Sequence, residues 1–512
     1  MEGDVAVTQR GARRARAAAA WVLPVAVVVA AVGASAPGAL THAMYFDEIA
    51  SARVVSEPSF GDVLERVRRT ESTPPAWYVV AWSLSKADAS LAAGKLFSDV
   101  ERLRFLSVLF AAAASLLTAM WALRLLDNRL LAALAGFLVA LGSVPAAYGE
   151  QLRAYALVML LSVSFGLLLV RVADRPTAWP WCALALCVWL GVMTHYFFFF
   201  VVAGGGLWLW AARPRLPGRT KAAVALGLGL LGFLPWLPSL VEQMQHGRYR
   251  WIGVFNAVDV ATLPGSLFFG PDGLLYGLAR IAVTLALVVG VAVLWRTPGG
   301  TAIVGLGLLP VIGAGVVWAL GEPIFDERNM LPVVPFMAIL VAAAPAVLPK
   351  RLVPAVAVTG IVATLAGAAF AYATLDRVAY DRVADALVDV GWTADEPVVV
   401  DWRGIGRGTG ISLATPVSWY LPESPNLIRA PARQDCATTY ALVRVSMLGP
   451  WLARHRRQLA DIRDVASYDH LVRGRENGRI IIARFSAPVS LPGVLFYARG
   501  HAITCLEAGT SG

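Results

Sequence analysis

Residues 148–171 read YGEQLRAYALVMLLSVSFGLLLVR. No charge falls between Arg153 and Arg171, and a helix over 154–171 comes close to crossing about 30 Å of hydrocarbon. At one end of that helix stand an acid and a base, Glu150 and Arg153; at the other stands Arg171. Charge at the mouth of an apolar segment is costly to hold there, so this stretch predicts a membrane helix with chemistry at one end.

Ten further apolar runs flank it, at 20–38, 104–123, 129–147, 177–194, 196–212, 221–238, 274–295, 300–319, 329–348 and 352–373. The composition agrees: 58% of residues are hydrophobic and 15% charged, against about 25% charged in soluble proteins. Arg10, Arg13, Arg14 and Arg16 precede the first run as they would in a signal peptide. That run is long for a signal core and many others follow, so it is read as the first span. The sequence thus predicts an α-helical polytopic membrane protein of about 11 transmembrane helices, with a small C-terminal α/β domain.

Loop charge sets the expected orientation. With residues 1–19 as a basic cytoplasmic N-terminus, the inner loops hold Arg124 and Arg129, Arg171 and Arg175, Arg213 to Lys221, Arg296, and Lys350 with Arg351. The opposite loops hold Asp47, Glu48, Glu71, Glu150, Glu242, Asp326 and Glu327. The net charge of +10 then reflects topology, and no nucleic-acid partner is expected. The expected domains are a transmembrane domain over 20–373, with a first outer loop at 39–103, and an extracytoplasmic domain over 374–512. The location implied is the inner (plasma) membrane with the C-terminus outside. The tail reads as helix 376–390, strand 397–401, strand 440–446, helix 450–466 and strand 479–485. Trp77, Tyr78 and Trp82 suit a helix lying at the membrane interface. Cys182 and Cys187 read as apolar core. Cys436 and Cys505 are expected to form a disulfide on the oxidising side.

Four clusters fall on the expected outer face: Asp47-Glu48, residues 150–155, Thr194-His195-Tyr196, and Asp326-Glu327-Arg328. Carboxylates, arginines and a histidine in one cavity suit moving a sugar off a phosphate. A carboxylate accepts the proton of an acceptor hydroxyl, and arginines stabilise the departing phosphate. Each residue also has a plainer reading. Asp47 and Glu48 are ordinary solvated loop acids, Arg153 is an interfacial anchor, His195 is a satisfied hairpin histidine, and Arg328 pairs with its neighbours Asp326 and Glu327. The glycine-rich stretch 404–410 lacks the GxGxxG spacing and is read as a loop. His455 and His470 have no metal spacing.

These segments resemble the GT-C class of integral-membrane glycosyltransferases, in the branch that contains bacterial aminoarabinose transferases and protein O-mannosyltransferases. The resemblance rests on Tyr45-Phe46-Asp47-Glu48, on Thr73-Pro74-Pro75-Ala76-Trp77-Tyr78, on residues 148–155, and on Thr194-His195-Tyr196 with the later run 327–332 and Pro335. Arg102 and Arg104 match the basic start of the family's second span. The resemblance implies a polyprenyl-phosphate-linked sugar donor, a cell-envelope glycan, lipid or protein acceptor, an inverting transfer, and neither cofactor nor metal. It maps the base onto Asp47, with Glu48 second, and the donor-phosphate grip onto Arg153 and Arg328. The substrate pocket would include Tyr78, Glu150, Tyr155, His195, Tyr196 and Glu327. Thr73 and Asn329 depart from residues common in the family. The tail resembles no known module. A lipid or solute transporter or flippase, or a non-catalytic scaffold of the same fold, are the alternatives. Neither an inverted repeat nor paired broken helices favours transport.

Overall fold

The computed structural model describes residues 2–89, 99–212, 216–246, 257–269, 274–297, 299–322, 324–374, 380–393, 396–401, 417, 419–421, 427–428, 435–444, 448–466, 479–496 and 505–506. The chain divides into two units, Met1–Leu40 with Ser51–Ala371, and Thr41–Ala50 with Tyr372–Gly512.

Helices make the first unit: α1 (Glu2–Thr41), α2 (Phe46–Val55), α3 (Phe60–Thr70), α4 (Ala76–Ala89), α5 (Asp99–Leu126), α6 (Arg129–Leu141), α7 (Ser143–Gly149), α8 (Tyr155–Asp174), α9 (Ala178–Thr194) and α10 (Phe198–Ala211). After these come α11 (Arg219–Leu231), α12 (Leu237–Gln245), α13 (Ala257–Phe268), α14 (Leu274–Trp295), α15 (Gly300–Ala319), α16 (Val334–Ala343) and α17 (Val353–Thr374). Among the described residues, seven segments are long and apolar enough to cross a membrane: Val22–Thr41, Val100–Leu126, Tyr155–Asp174, Arg219–Gln245, Gly277–Trp295, Gly300–Ala319 and Glu327–Val347. The bent pair α6–α7 and the shorter apolar helices Ala178–Thr194, Phe198–Ala211 and Val353–Ala369 occupy the other expected runs. The chain is a helical membrane protein.

Helix α16 is buried along its whole length and packs against α5, α6, α8, α14 and α15. It has no polar stripe because every side meets protein. The run read as one span at 129–147 instead bends by 55° between α6 and α7. Gly142 leaves the helical region there (φ −56°, ψ 142°), and Pro145 stands in the next turn. The bend directs α7 into the turn that carries Glu150 and Arg153.

The second unit is a six-stranded sheet: β1 (Val398–Asp401), β2 (Leu427–Ile428), β3 (Asp435–Arg444), β4 (Leu459–Ala466), β5 (Arg479–Phe496) and β6 (Cys505–Leu506). Strand β5 runs antiparallel to β2, β3 and β4 and, at its end, to β1, while β1 and β3 are parallel. Period-two alternation gives the sheet two apolar faces. Val398, Val400, Tyr440, Leu442, Ile480 and Ile482 pack with α18 (Tyr380–Asp389). Val399, Ala441, Ala483 and Phe485 pack with Trp451 of α19 (Leu448–His455). The helix expected over 450–466 ends at His455, and residues 459–466 form β4 instead. Pairing with the apolar edge of β5 overrides local helical preference there.

Two other expectations change. Trp77 and Tyr78 are 0% and 1% exposed, so they belong to the protein interior rather than to an interfacial belt. Cys187 is buried, but Cys182 is exposed. The stretch 404–410 and His470 lie outside the described residues.

Candidate active site

Arg153 is the hub of a buried cluster in the first unit. It is 7% exposed, and its Nη1 donates to Ser51 Oγ, Glu71 Oε2 and Tyr78 OH, each at 3.1 Å. Tyr78 OH in turn donates to Glu71 Oε2 at 2.6 Å and lies 3.1 Å from Thr73 Oγ1. Burial and the Glu71 carboxylate push the Tyr78 phenol well above its usual range, against the opposing charge of Arg153. A phenol held protonated is a dependable donor to Glu71. The cluster joins the turn before α8 to α2, to the start of α4 and to the Thr73-Pro74-Pro75 corner between α3 and α4. Prolines there fix the backbone so that Thr73 and Tyr78 lie on the same side. The turn itself is held by Ser107 of α5, whose Oγ donates to the Gln151 carbonyl at 2.7 Å.

His195 caps α9 with an extended backbone (φ −154°, ψ 132°), and its N–H donates to Gly191 O at 3.0 Å. The chain turns within three residues into α10. A Cβ on Gly191 would sit 2.2 Å from Phe198, so glycine is what permits so tight a return. The imidazole Nδ1 accepts from the Phe197 N–H at 3.2 Å, which leaves the proton of the neutral ring on Nε2. Burial lowers the His195 pKa to about 3, and the positive charges of Arg153 and Arg328 act in the same direction. Both arginines therefore reach His195 electrostatically. The Tyr155 ring lies 6.0 Å from His195 and 4.8 Å from Tyr148, completing an aromatic wall.

Arg328 is 8% exposed and sits in a 3-10 turn, Glu327–Val333. Asp326 caps this turn, accepting from Arg328 N at 3.0 Å and Nε at 3.2 Å. The local ion pair weighed for Arg328 is present, and it orients the guanidinium. Glu327 is half-buried beside it. Glu150 is 4% exposed, and its carboxylate lies over Gly38 of α1, where a Cβ would come within 2.0 Å of Oε2. Tyr196 faces elsewhere: its hydroxyl donates to Gln243 Oε1 at 2.7 Å and accepts from Trp236 Nε1 at 3.1 Å.

Asp47 and Glu48 lie on the first turn of α2, in the 41–50 segment of the second unit. Glu48 is 2% exposed, and its Oε2 accepts from the Tyr45 N–H at 3.0 Å, a capping contact at the helix start. Asp47 is half-buried. Among the described residues, no three His, Cys, Asp or Glu side chains gather as a metal-ligand set.

Ser51 and Glu71, both partners of Arg153, were not singled out as part of the site by the sequence. The signal for Glu71 was local. Glu71 stood among the outer-loop acids, two positions before Thr73-Pro74-Pro75, and that adjacency to the motif was the available signal.

No protein-family model matches the chain, and no curated protein matches it. Among solved structures, the crystal structure of ArnT from Cupriavidus metallidurans in the apo state is similar, with a TM-score of 0.51 over 91% of this chain and 98% of that one. The chain has a GT-C fold. Identity to that ArnT is 12%, so the likeness concerns the fold. The same ArnT bound to undecaprenyl phosphate gives a TM-score of 0.48 at 12% identity, covering 91% of this chain and 98% of that one. The Archaeoglobus fulgidus oligosaccharyltransferase, in complex with zinc and sulfate, gives 0.48 at 12% identity over 84% of this chain and 69% of that chain. In this GT-C fold, the buried Arg153, His195 and Arg328 come from three separate helix ends.

Proposed function

We propose that the chain is an inverting glycosyltransferase that moves a sugar from a polyprenyl-phosphate donor to a cell-envelope acceptor. The observation that carries this reading is a buried His195 on which the charges of two buried arginines, Arg153 and Arg328, both act. Two guanidiniums and an Nε2–H donor, fixed before substrate arrives, make a site for an anion with a large transition-state charge. An anion at that site inside a membrane protein is most simply a lipid phosphate, whose tail stays in the bilayer. The motif resemblance and the shared fold favour the same donor class.

In the reaction, the Asp47 carboxylate takes the proton of an acceptor O–H or N–H. The freed lone pair forms the new bond to the anomeric carbon. The bond from that carbon to the phosphate oxygen breaks, and polyprenyl phosphate leaves with the electron pair. Arg153 and Arg328 balance the charge on the departing phosphate, and His195 Nε2–H donates to one of its oxygens. The family resemblance maps the base onto Asp47, with Glu48 second. Glu150, Tyr155 and Glu327 would line the sugar pocket, with the acceptor reaching it from the non-cytoplasmic side.

The test is binding of undecaprenyl phosphate to the purified protein, read as thermal stabilisation against undecaprenol as control. Charge-assisted hydrogen bonds are worth about 1.5–3 kcal/mol, so Arg328→Ala should weaken binding by at least about tenfold. Equal stabilisation by the alcohol and the phosphate, or undiminished binding by Arg328→Ala, would count against the reading.

A further inference from the structure

The segment that carries Asp47 is built into the second unit, although most of that unit lies more than three hundred residues later. At its upstream end the backbone N–H of Met44, a residue 3% exposed, donates to Tyr420 OH at 2.6 Å across 376 residues of chain. The Tyr45 and Tyr420 rings both pack against the core formed by α18, β1, β3 and β5. The next turn closes on itself. Glu48 N and Ile49 N both donate to the Tyr45 carbonyl, at 2.9 and 3.1 Å, while the Glu48 carboxylate accepts from the Tyr45 N–H. Asp47 sits inside this closed turn.

We propose that Tyr420 is a positioning residue for Asp47: its hydroxyl anchors the start of the Tyr45–Glu48 turn and so fixes where the carboxylate is presented. The proposal rests on the reading of Asp47 as base. It gives the C-terminal unit a part in the reaction, because whatever shifts Tyr420 shifts the base.

The experiment uses full-length Tyr420→Phe, which keeps the ring in the core and removes only the hydroxyl. Hydrogen–deuterium exchange in detergent should rise by about tenfold at Met44 to Glu48, the effect of one lost hydrogen bond, with peptides of β3 and β5 unchanged. Transfer is then followed with a radiolabelled total extract of polyprenyl-phosphate sugars as donor. The expected result is a fall in kcat of up to about tenfold with the donor KM within about twofold, because the loss is confined to the transition state. Unchanged exchange at Met44 to Glu48 overturns the proposal. Faster exchange with unchanged kcat also overturns it, since Tyr420 would then only hold the fold. Equal transfer by wild type and Asp47→Asn would instead remove the reading beneath it. The exchange measurement separates the two failures, because it needs no substrate.

Discussion

Replacing Glu71 with alanine removes the carboxylate that lies 3.1 Å from Arg153 Nη1 and accepts the Tyr78 hydroxyl at 2.6 Å. The side chains of Arg153 and Glu71 are 8% and 5% exposed, so water cannot replace the lost partner. Removing one member of a buried ion pair costs about 3–5 kcal/mol, mostly from the charge left behind. Glu71→Ala and Arg153→Ala should each fall in that range. The double variant should cost less than their sum by about 2–3 kcal/mol, because neither charge is then stranded. Glu71→Gln keeps an acceptor for Tyr78 and loses only the charge, so its cost should be nearer about 1–3 kcal/mol. The assay is equilibrium unfolding in mixed micelles, followed by tryptophan fluorescence on all four variants and the wild type. Additive single costs, or a Glu71→Ala cost under about 1 kcal/mol as for an exposed pair, would refute the claim that this cluster is a buried, coupled unit.

Two other outcomes follow from the same geometry. His195 has a folded pKa of about 3 against an ordinary 6.5, so between those values the unfolded chain binds the extra proton. Stability contributed by His195 is therefore whole above about pH 6.5 and declines as pH falls toward 3. Melting temperatures of wild type and His195→Gln should diverge in that window, with wild type showing the steeper acid decline; parallel profiles would contradict the assignment. In the second unit, the ladder sets Cys436 opposite Cys505. Facing residues of an antiparallel pair are about 4.5–5.5 Å apart at Cα, within reach of a disulfide. Peptide mapping of protein purified without reductant should recover a Cys436–Cys505 cross-link that reductant removes; free thiols at both positions would count against the pairing.

The positions of the membrane helices were legible because apolar length is a local property, and each expected run holds a helix. What the runs could not disclose was which faces meet protein. Trp77 and Tyr78 carried the composition of an interfacial belt, yet they are buried: an amphipathic aromatic serves equally well at a membrane surface and at an internal hydrogen-bonded cluster. The strand at 459–466 was hidden for a similar reason, since it exists through pairing with residues 479–485 rather than through its own pattern. Arg153, His195, Arg328 and Glu150 could be nominated because each stands at the end of an apolar run, where a charge demands explanation; Tyr155 was nominated through the family resemblance. For Glu71 the one local signal was its place two residues before Thr73, since its role depends on Arg153, 82 positions away in sequence.

Transfer from a polyprenyl-phosphate sugar with Asp47 as base can be read in a deletion strain carrying either wild type or Asp47→Asn at equal expression. Polyprenyl-phosphate sugars and envelope glycans are profiled by mass spectrometry. The Asp47→Asn strain should accumulate one lipid-linked sugar and lose one envelope glycan. Identical profiles in the two strains would rule out Asp47 as the base of such a transfer.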